Sequence, residues 1–278
     1  MADGNSYFNS NLGINKVFIK MTTTQQFYNP HRNRTHSNPD SSPDNTPAIE
    51  KFILQNANSC HLCGHFCGSK RTDPSHTKKH SVCMAPWYKN SGGEWQIKIS
   101  SINIHHGEEP PISGTKGSGT IFFTHCPLKC IFCQNYPISA LGNGRLYTIE
   151  ELSDNMLRLE SEGAHNINLV SPTHYAPLIA GAITQARSKG LTIPIVYNTG
   201  GYDSTETLKA LEGLIDIYMP DIKYISSEEM ALRYSGARNY PEVNRAAIKE
   251  MHRQVGQLKF SDDGIARKGL LIRHLVLP

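Results

Sequence analysis

No stretch of this chain approaches the roughly 18 consecutive apolar residues of a membrane-spanning helix, and no charged-then-apolar leader opens it as in a secretory signal. Basic residues run no further than pairs such as Lys78-Lys79, and aromatics are sparse across residues 60–90. The electrostatic and stacking footprint of a nucleic-acid binder is therefore missing. Net charge is only +4, so neither a membrane nor nucleic acid is an expected partner. Cysteine is scarce and odd in number: seven residues suit a paired disulfide framework poorly. Grouped as four plus three, they read as ligands in a reducing compartment, which makes the cytoplasm the expected location. Acid is absent from Gly4 to Pro39, where Lys16, Lys20, Arg32 and Arg34 stand. That permits an organelle transit peptide, with Met21 as an internal start, although no clear amphipathic helix supports it. Residues 1–46, rich in Asn, Ser, Thr and Pro without an apolar period, are expected to form a disordered tail.

What is present centres on one loop. The apolar run Ile121 to Phe123 reads as a buried strand, and Cys126-x3-Cys130-x2-Cys133 follows directly off its end. Three thiolates at this spacing can hold three irons of a cubane cluster that normally takes four ligands. The iron left without a protein ligand can bind another molecule, as an open position on a catalytic metal does. A zinc site or buried inert thiols are the competing readings. The motif Cys126-x3-Cys130-x-Phe132-Cys133 resembles the signature of the radical S-adenosylmethionine (SAM) superfamily, including the aromatic before its last cysteine. Gln134-Asn135-Tyr136 and the preceding Gly-rich run are similar to the branch related to pyruvate formate-lyase activating enzymes.

Upstream lie Cys60-x2-Cys63-x3-Cys67 and, fifteen residues on, Cys83. Four cysteines suffice for a closed zinc site and equally for a second iron–sulfur cluster, and the spacing does not separate the two. His61, His65, His76 and His80 lie among them and can replace a thiolate. A similar upstream cysteine block is common in related radical SAM proteins, which supports a metal here, with fold stabilisation as its default role.

The rest of the chain alternates helix and strand. Helices are expected over 47–56, after the Thr148-Ile-Glu-Glu151 capping box, over 177–188, 204–212, 226–234 and 241–255. Strands are expected around the Ser91-Gly-Gly93 turn, then over 121–123, 167–170, 193–197, 215–219 and 270–277. This rhythm predicts an α/β fold with a parallel sheet. The resemblance implies a partial (β/α) parallel barrel of the radical SAM type, with about five of six units present. The expected organisation is a Cys-rich N-terminal segment over 47–105 and a partial barrel over 106–278. A chain that stops on a strand leaves an unpaired edge, so the barrel is expected to be C-terminally truncated.

In such sheets ligands bind beyond the carboxyl ends of the strands. Ser171, Thr173 and His174 follow the second strand, Asn198 the third, and Asp221 and Lys223 the fourth, so these are candidate cofactor-binding residues beside the cluster loop. The resemblance adds Phe132 and Asn135, and implies a 4Fe–4S cluster whose open iron is chelated by SAM. Reductive cleavage of SAM would yield a 5′-deoxyadenosyl radical that abstracts hydrogen, with a glycine of a protein partner as a candidate substrate. An electron donor such as flavodoxin or ferredoxin is implied as well. The activating enzymes place a Gly-Gly-Glu-Pro segment where this chain has Ser171-Pro-Thr-His174, without a carboxylate for SAM's amino group. A His-Gly-Glu-Glu-Pro loop carrying Glu108 and Glu109 also resembles one that precedes the cluster loop in a related group; its role is open. The alternative is a zinc-binding module that docks protein or nucleic acid without turnover, in which case the purified protein would be colourless.

Overall fold

A computed structural model describes residues 46–276, and the tail expected over residues 1–46 lies outside them except for Thr46. Helix α1 (Thr46–Asn58) buries Ile49, Ile53 and Ala57, an i, i+4 stripe, and packs on a later helix. Helix α2 (Pro74–His80), not foreseen in the sequence, starts where the Asp73 side chain accepts from the backbone N–H groups of Ser75 and His76. Strands β1 (Tyr88–Lys89) and β2 (Trp95–His105) flank the expected turn, whose Asn90 carboxamide accepts from Gly92 and Glu94. A short helix α3 (Pro110–Ser113) leads to β3 (Ser118–Phe123), the buried strand that the apolar run predicts. Helix α4 (Tyr136–Ser139) and strand β4 (Arg145–Thr148) follow the cysteine loop.

From there the alternation holds. Helix α5 (Ile149–Ser161) begins at the capping box: Thr148 Oγ1 accepts from the Glu151 N–H, and the Glu151 carboxylate accepts from the Thr148 N–H. It buries Leu152, Met156 and Leu159 and gives way at Gly163, whose φ of 93° only glycine adopts readily. Then come β5 (Ile167–Val170), α6 (Ala176–Ser188), β6 (Ile195–Thr199), α7 (Thr205–Ala210), β7 (Ile217–Ile222), α8 (Glu228–Ser235) and α9 (Tyr240–Val255). The described chain finishes with β8 (Lys259–Phe260), β9 (Ala266–Leu270) and β10 (Arg273–His274).

The sheet runs β1-β2-β3-β5-β6-β7-β9-β8, with β4 on β2 and β10 on β7. Strands β3, β5, β6, β7 and β9 are parallel neighbours, and one row across them reads Ile121, Leu169, Tyr197, Tyr218, Leu270. Right-handed β–α–β crossovers are the rule for such units. The mixed α/β architecture with its parallel sheet is consistent with the barrel expected of the radical SAM fold. Residues two apart on a strand share a face. Ile121, Leu169, Tyr197 and Tyr218 join the main core with α1, α5 and α6. On the other face Val196, Ile217 and Met219 pack with Ile112 of α3 and Ala266 of β9, an apolar floor. The next residues on that face, Asn198 and Asp221, are polar and stand toward the carboxyl ends of their strands.

Two features differ from the sequence reading. The last strand, expected over 270–277, begins earlier and is split: β9 pairs with Ile217 and Tyr218, and after two residues β10 rejoins β7 at Asp221 and Ile222. The chain around Gln257 and Leu258 passes so close to Gly269 that a β-carbon there would collide with backbone. The boundary expected at residue 105 lies between β2 and β3, which are hydrogen-bonded antiparallel neighbours. The Cys-rich segment is likewise docked: Cys63 bridges Asp203, the Gly64 N–H donates to the Tyr202 carbonyl, and the Ser204 N–H donates to the Leu62 carbonyl.

Candidate functional site

The cysteine loop leaves β3 through His125, at φ 68°, and is held at several points. Backbone N–H groups of His125, Lys129 and Ile131 donate to the carbonyls of Ile138, Ser235 and Tyr234 at 2.9, 2.8 and 2.9 Å. The loop is therefore pinned between α4 and the end of α8, and its three cysteines are half-buried and free of disulfides. The Leu128 N–H lies 3.5 Å from Cys126 Sγ, Cys130 Sγ is 2.9 Å from Ser235 Oγ, and Cys133 Sγ is 3.1 Å from Ser139 Oγ. Burial pushes the Cys126 thiol up to about 12, and the charges of Cys130 and Cys133 add to the rise. A metal replacing the thiol protons would relieve this mutual repulsion. Nearby, Lys129 Nζ is buried with no hydrogen-bond partner among the described residues, and its charge is felt at His125 and His174. Burial first, and Lys129 next, hold the His125 imidazole down at about 4.

Across the ends of β6 and β7 a polar network forms. The Asp221 carboxylate pairs with Lys223 Nζ at 2.7 Å and accepts from Arg273 Nε at 2.8 Å. Arg273 Nη2 donates to Asn198 Oδ1 at 2.6 Å, and its Nη1 lies 3.4 Å from the Glu109 carboxylate. Burial alone would raise the Asp221 carboxyl, but the Lys223 and Arg273 charges outweigh it and hold it below the usual carboxylate range. Beside this network Glu108 accepts from Asn168 at 3.0 Å and from His105 at 2.7 Å. The Glu108-Glu109 loop therefore reaches the same face of the sheet as Asn168, Asn198 and Asp221. Asn168 Oδ1 and Glu109 Oε2 are buried acceptors without a partner among the described residues.

Of the candidate residues, Asn198, Asp221 and Lys223 stand together in this network. Phe132 is half-buried, its ring 6.3 Å from that of Tyr224, and it packs with Cys126 and Cys130. Asn135 is exposed at the start of α4. Ser171, at φ 56°, donates its N–H to the Asn198 carbonyl at 2.9 Å. Thr173, in the turn after β5, donates to Asp203 at 2.7 Å. His174 Nε2 donates to the Thr124 carbonyl at 2.7 Å, supporting the end of β3, and its Nδ1 has no partner among the described residues.

Several participants escaped the sequence reading. Asp203 is buried and accepts hydroxyl protons from Thr173, Tyr197 and Thr199, so a carboxylate does lie under residues 171–174, supplied from beyond β6. Tyr240 donates its hydroxyl proton to the Gly200 and Asp221 carbonyls and accepts from the Lys223 N–H, while Asn244 donates to the carbonyls of Gly201 and Asp221. Together they fasten the turns after β6 and β7. Arg273 carried no signal beyond its place on the last strand; Asp203 sits three residues past Gly200, inside the Asn198-Thr-Gly-Gly turn's reach.

The four upstream cysteines gather around Arg71, whose guanidinium lies 2.8 Å from both Cys60 Sγ and Cys83 Sγ. The thiols of Cys60 and Cys67 are in hydrogen-bond contact, which raises the Cys60 thiol and brings that of Cys67 down to about 7. Burial, followed by the charges of Cys60 and Cys83, raises the Cys63 thiol. This segment abuts the other cysteine loop: His65 Nε2 donates to the Pro127 carbonyl at 2.8 Å, and Cys63 packs in one apolar cluster with Leu128, Cys126 and Cys130. Among the described residues no group of three or more His, Cys, Asp or Glu is already at metal-ligand spacing.

The sequence pattern of the radical SAM superfamily matches residues 120–260, half of the chain, from β3 to β8. The chain belongs to this superfamily, an enzyme class built on a 4Fe–4S cluster and SAM. A relative is an uncharacterised protein of Methanocaldococcus jannaschii, 28% identical over a 242-residue alignment that covers 83% of this chain. The chain spans 59% of that relative's length. The cysteine loop fits the family's cluster: three half-buried thiols arise from one pinned loop, a backbone N–H already faces one sulfur, and the Lys129 ammonium, without a partner among the described residues, belongs to the same loop. Among the described residues no helix is long and apolar enough to cross a membrane.

Proposed function

We propose that Cys126, Cys130 and Cys133 hold the 4Fe–4S cluster and that SAM lies over the ends of β5, β6 and β7, beside Phe132. The observation that carries this reading is the pinned three-thiol loop at the end of a parallel strand, next to the Asn198–Arg273–Asp221–Lys223 network. When bound, the cluster and SAM supply reductive cleavage to a 5′-deoxyadenosyl radical, which abstracts hydrogen. The chain's own residues bind, orient and exclude water around that chemistry. Lys223 and Arg273 are cations poised for a carboxylate, and Asp221 holds both in place. Carbonyls and hydroxyls at Ser171 and Thr173, with Asp203 anchoring Thr173, are the acceptors for an ammonium group. Asn198 orients Arg273, Asn135 borders the cluster loop, and His174 steadies the strand end from which that loop departs.

We place the chain with the activating-enzyme-like branch, acting on a protein partner with a glycine C–H as the candidate target. Exposed Phe66, Ile131, Tyr136, Leu141 and Leu232 support a protein partner, since they lie on the cysteine loop or on segments bonded to it. A flavodoxin- or ferredoxin-like donor would supply the electron, and seven free cysteines suit the reducing cytoplasm. The Cys-rich segment contributes a metal site of its own, zinc or a second cluster. Anaerobically reconstituted protein given dithionite and SAM should release 5′-deoxyadenosine, and Cys126→Ala, Cys130→Ala or Cys133→Ala should abolish release. A deuterated partner glycine should transfer its label to 5′-deoxyadenosine; the partner assignment fails if the label stays behind.

A further inference from the structure

Arg71 is 1% exposed, deeper than an unpaired guanidinium is normally found. Its partners are sulfur and a carbonyl: Nη1 donates to Cys83 Sγ at 2.8 Å and to the Ala85 carbonyl at 3.0 Å, and Nη2 to Cys60 Sγ at 2.8 Å. Nε is buried without a partner among the described residues. A buried cation without an anion is strongly unfavourable, and the side-chain atoms that the Arg71 N–H groups face are the sulfurs of Cys60 and Cys83. Four cysteine sulfurs around a divalent zinc or a cubane cluster would make a net negative centre at that spot.

The backbone is shaped for such a centre. The Cys60 N–H donates to the Ser69 carbonyl, the Gly68 N–H to the Cys60 carbonyl and the Phe66 N–H to the Cys63 carbonyl, which folds residues 60–69 into a tight knuckle. Phe66 and Gly68 take left-handed backbone at φ 43° and 60° to close it. The Arg71 N–H donates to the Ala57 carbonyl and its own carbonyl accepts from Trp87, so residue 71 is fixed between the knuckle and the irregular segment ahead of β1 that brings Cys83.

Resting on the metal site proposed above for Cys60, Cys63, Cys67 and Cys83, we propose that Arg71 is a positioning residue of that centre, offsetting its negative charge and donating N–H bonds to the metal-bound sulfurs of Cys60 and Cys83. This centre is separate from the SAM cluster, so a chain lacking Cys126, Cys130 and Cys133 must still hold it. Partners in the outer shell of a metal site typically change its affinity about 10–100-fold.

The test uses the full chain carrying Cys126→Ala, Cys130→Ala and Cys133→Ala, purified anaerobically, with zinc, iron and sulfide measured per chain and circular dichroism confirming the fold. The expected result is about one zinc, or about four irons with sulfide; either supports the proposal and the ratio separates them. A folded but metal-free chain overturns it, whatever SAM cleavage the unmodified enzyme shows. Adding Cys60→Ser and Cys83→Ser should remove the metal. In the same background Arg71→Met should lose metal to a chelator at least about tenfold faster, and Arg71→Lys should recover most of the resistance. Equal rates in all three overturn the role of Arg71. Should Arg71→Met not fold, Arg71→Lys against the parent decides, since losing the second N–H···S bond should still measurably speed release.

Discussion

Asp221→Asn is the perturbation whose cost can be worked from the structure. The wild-type carboxylate faces two cations, Lys223 at 2.7 Å and Arg273 at 2.8 Å, and the Asp221 and Lys223 side chains are each only 16% exposed. Removing one partner of a buried pair leaves an uncompensated charge and typically costs ~3–5 kcal/mol. Arg273 keeps Asn198 and Glu109, and Asn retains one acceptor, so the lower end, about 3 kcal/mol, is expected here. With a urea slope of about 3 kcal/mol/M, the unfolding midpoint should fall by about 1 M. Urea unfolding followed by circular dichroism at neutral pH reads this directly. Asp221→Asn with Arg273→Gln should cost less than the sum of the single changes, because the second substitution removes a stranded charge. A midpoint shift under ~0.2 M, or strict additivity in the double variant, would refute the reasoning.

The same pair sets a pH dependence. The folded Asp221 carboxyl lies below its ordinary range, so its contribution is complete above the unfolded value of about 3.9 and disappears as pH falls through the lower folded value. The Lys223 ammonium is raised, so its contribution is complete below about 10.4 and is lost as pH rises through the higher folded value. Asp221→Asn should therefore flatten the stability profile at the acid end.

Tyr240→Phe removes the hydroxyl that bridges the turns after β6 and β7 and strands the Lys223 N–H. A loss of about 1–3 kcal/mol in chemical unfolding is expected, and an unchanged midpoint would dismiss the bridge. Asp203→Ala leaves the hydroxyls of Thr173, Tyr197 and Thr199 without their shared acceptor, and should cost ~2–4 kcal/mol in the same assay. Thr148→Ala breaks the capping box of α5 and should cost about 1 kcal/mol, read as a lowered melting temperature, with SAM cleavage untouched.

Much of the fold was legible because the relevant forces are local. The Thr148-x-x-Glu151 pattern fixes the start of α5, and Gly163 its end, within a few residues of sequence. The apolar runs at 121–123 and 167–170 read as buried strands because parallel strands bury both faces. Strand β4 was not legible, since Arg145–Thr148 is half-exposed and exists by pairing with β2. The three cysteines of the loop stand out by spacing as candidate ligands, and so do the upstream four. Arg71, Asp203 and Arg273 do not. Each gains its meaning from partners the fold brings to it: Arg273 meets Glu109 and Asn198, Asp203 meets Thr173, and Arg71 meets sulfurs on both sides of its own position. A charged residue within a sequence reads as solvated surface until the fold buries it beside a partner.

The central claim is that Cys126, Cys130 and Cys133 bind a cluster that cleaves SAM. Its most direct test is 5′-deoxyadenosine formed per chain by anaerobic, dithionite-reduced protein, compared with the Cys130→Ala variant. The account predicts 5′-deoxyadenosine and methionine in equal amounts from the unmodified protein and none from the variant. Protein that holds about four irons on these cysteines yet leaves SAM intact, or a variant that still cleaves it, would contradict the account.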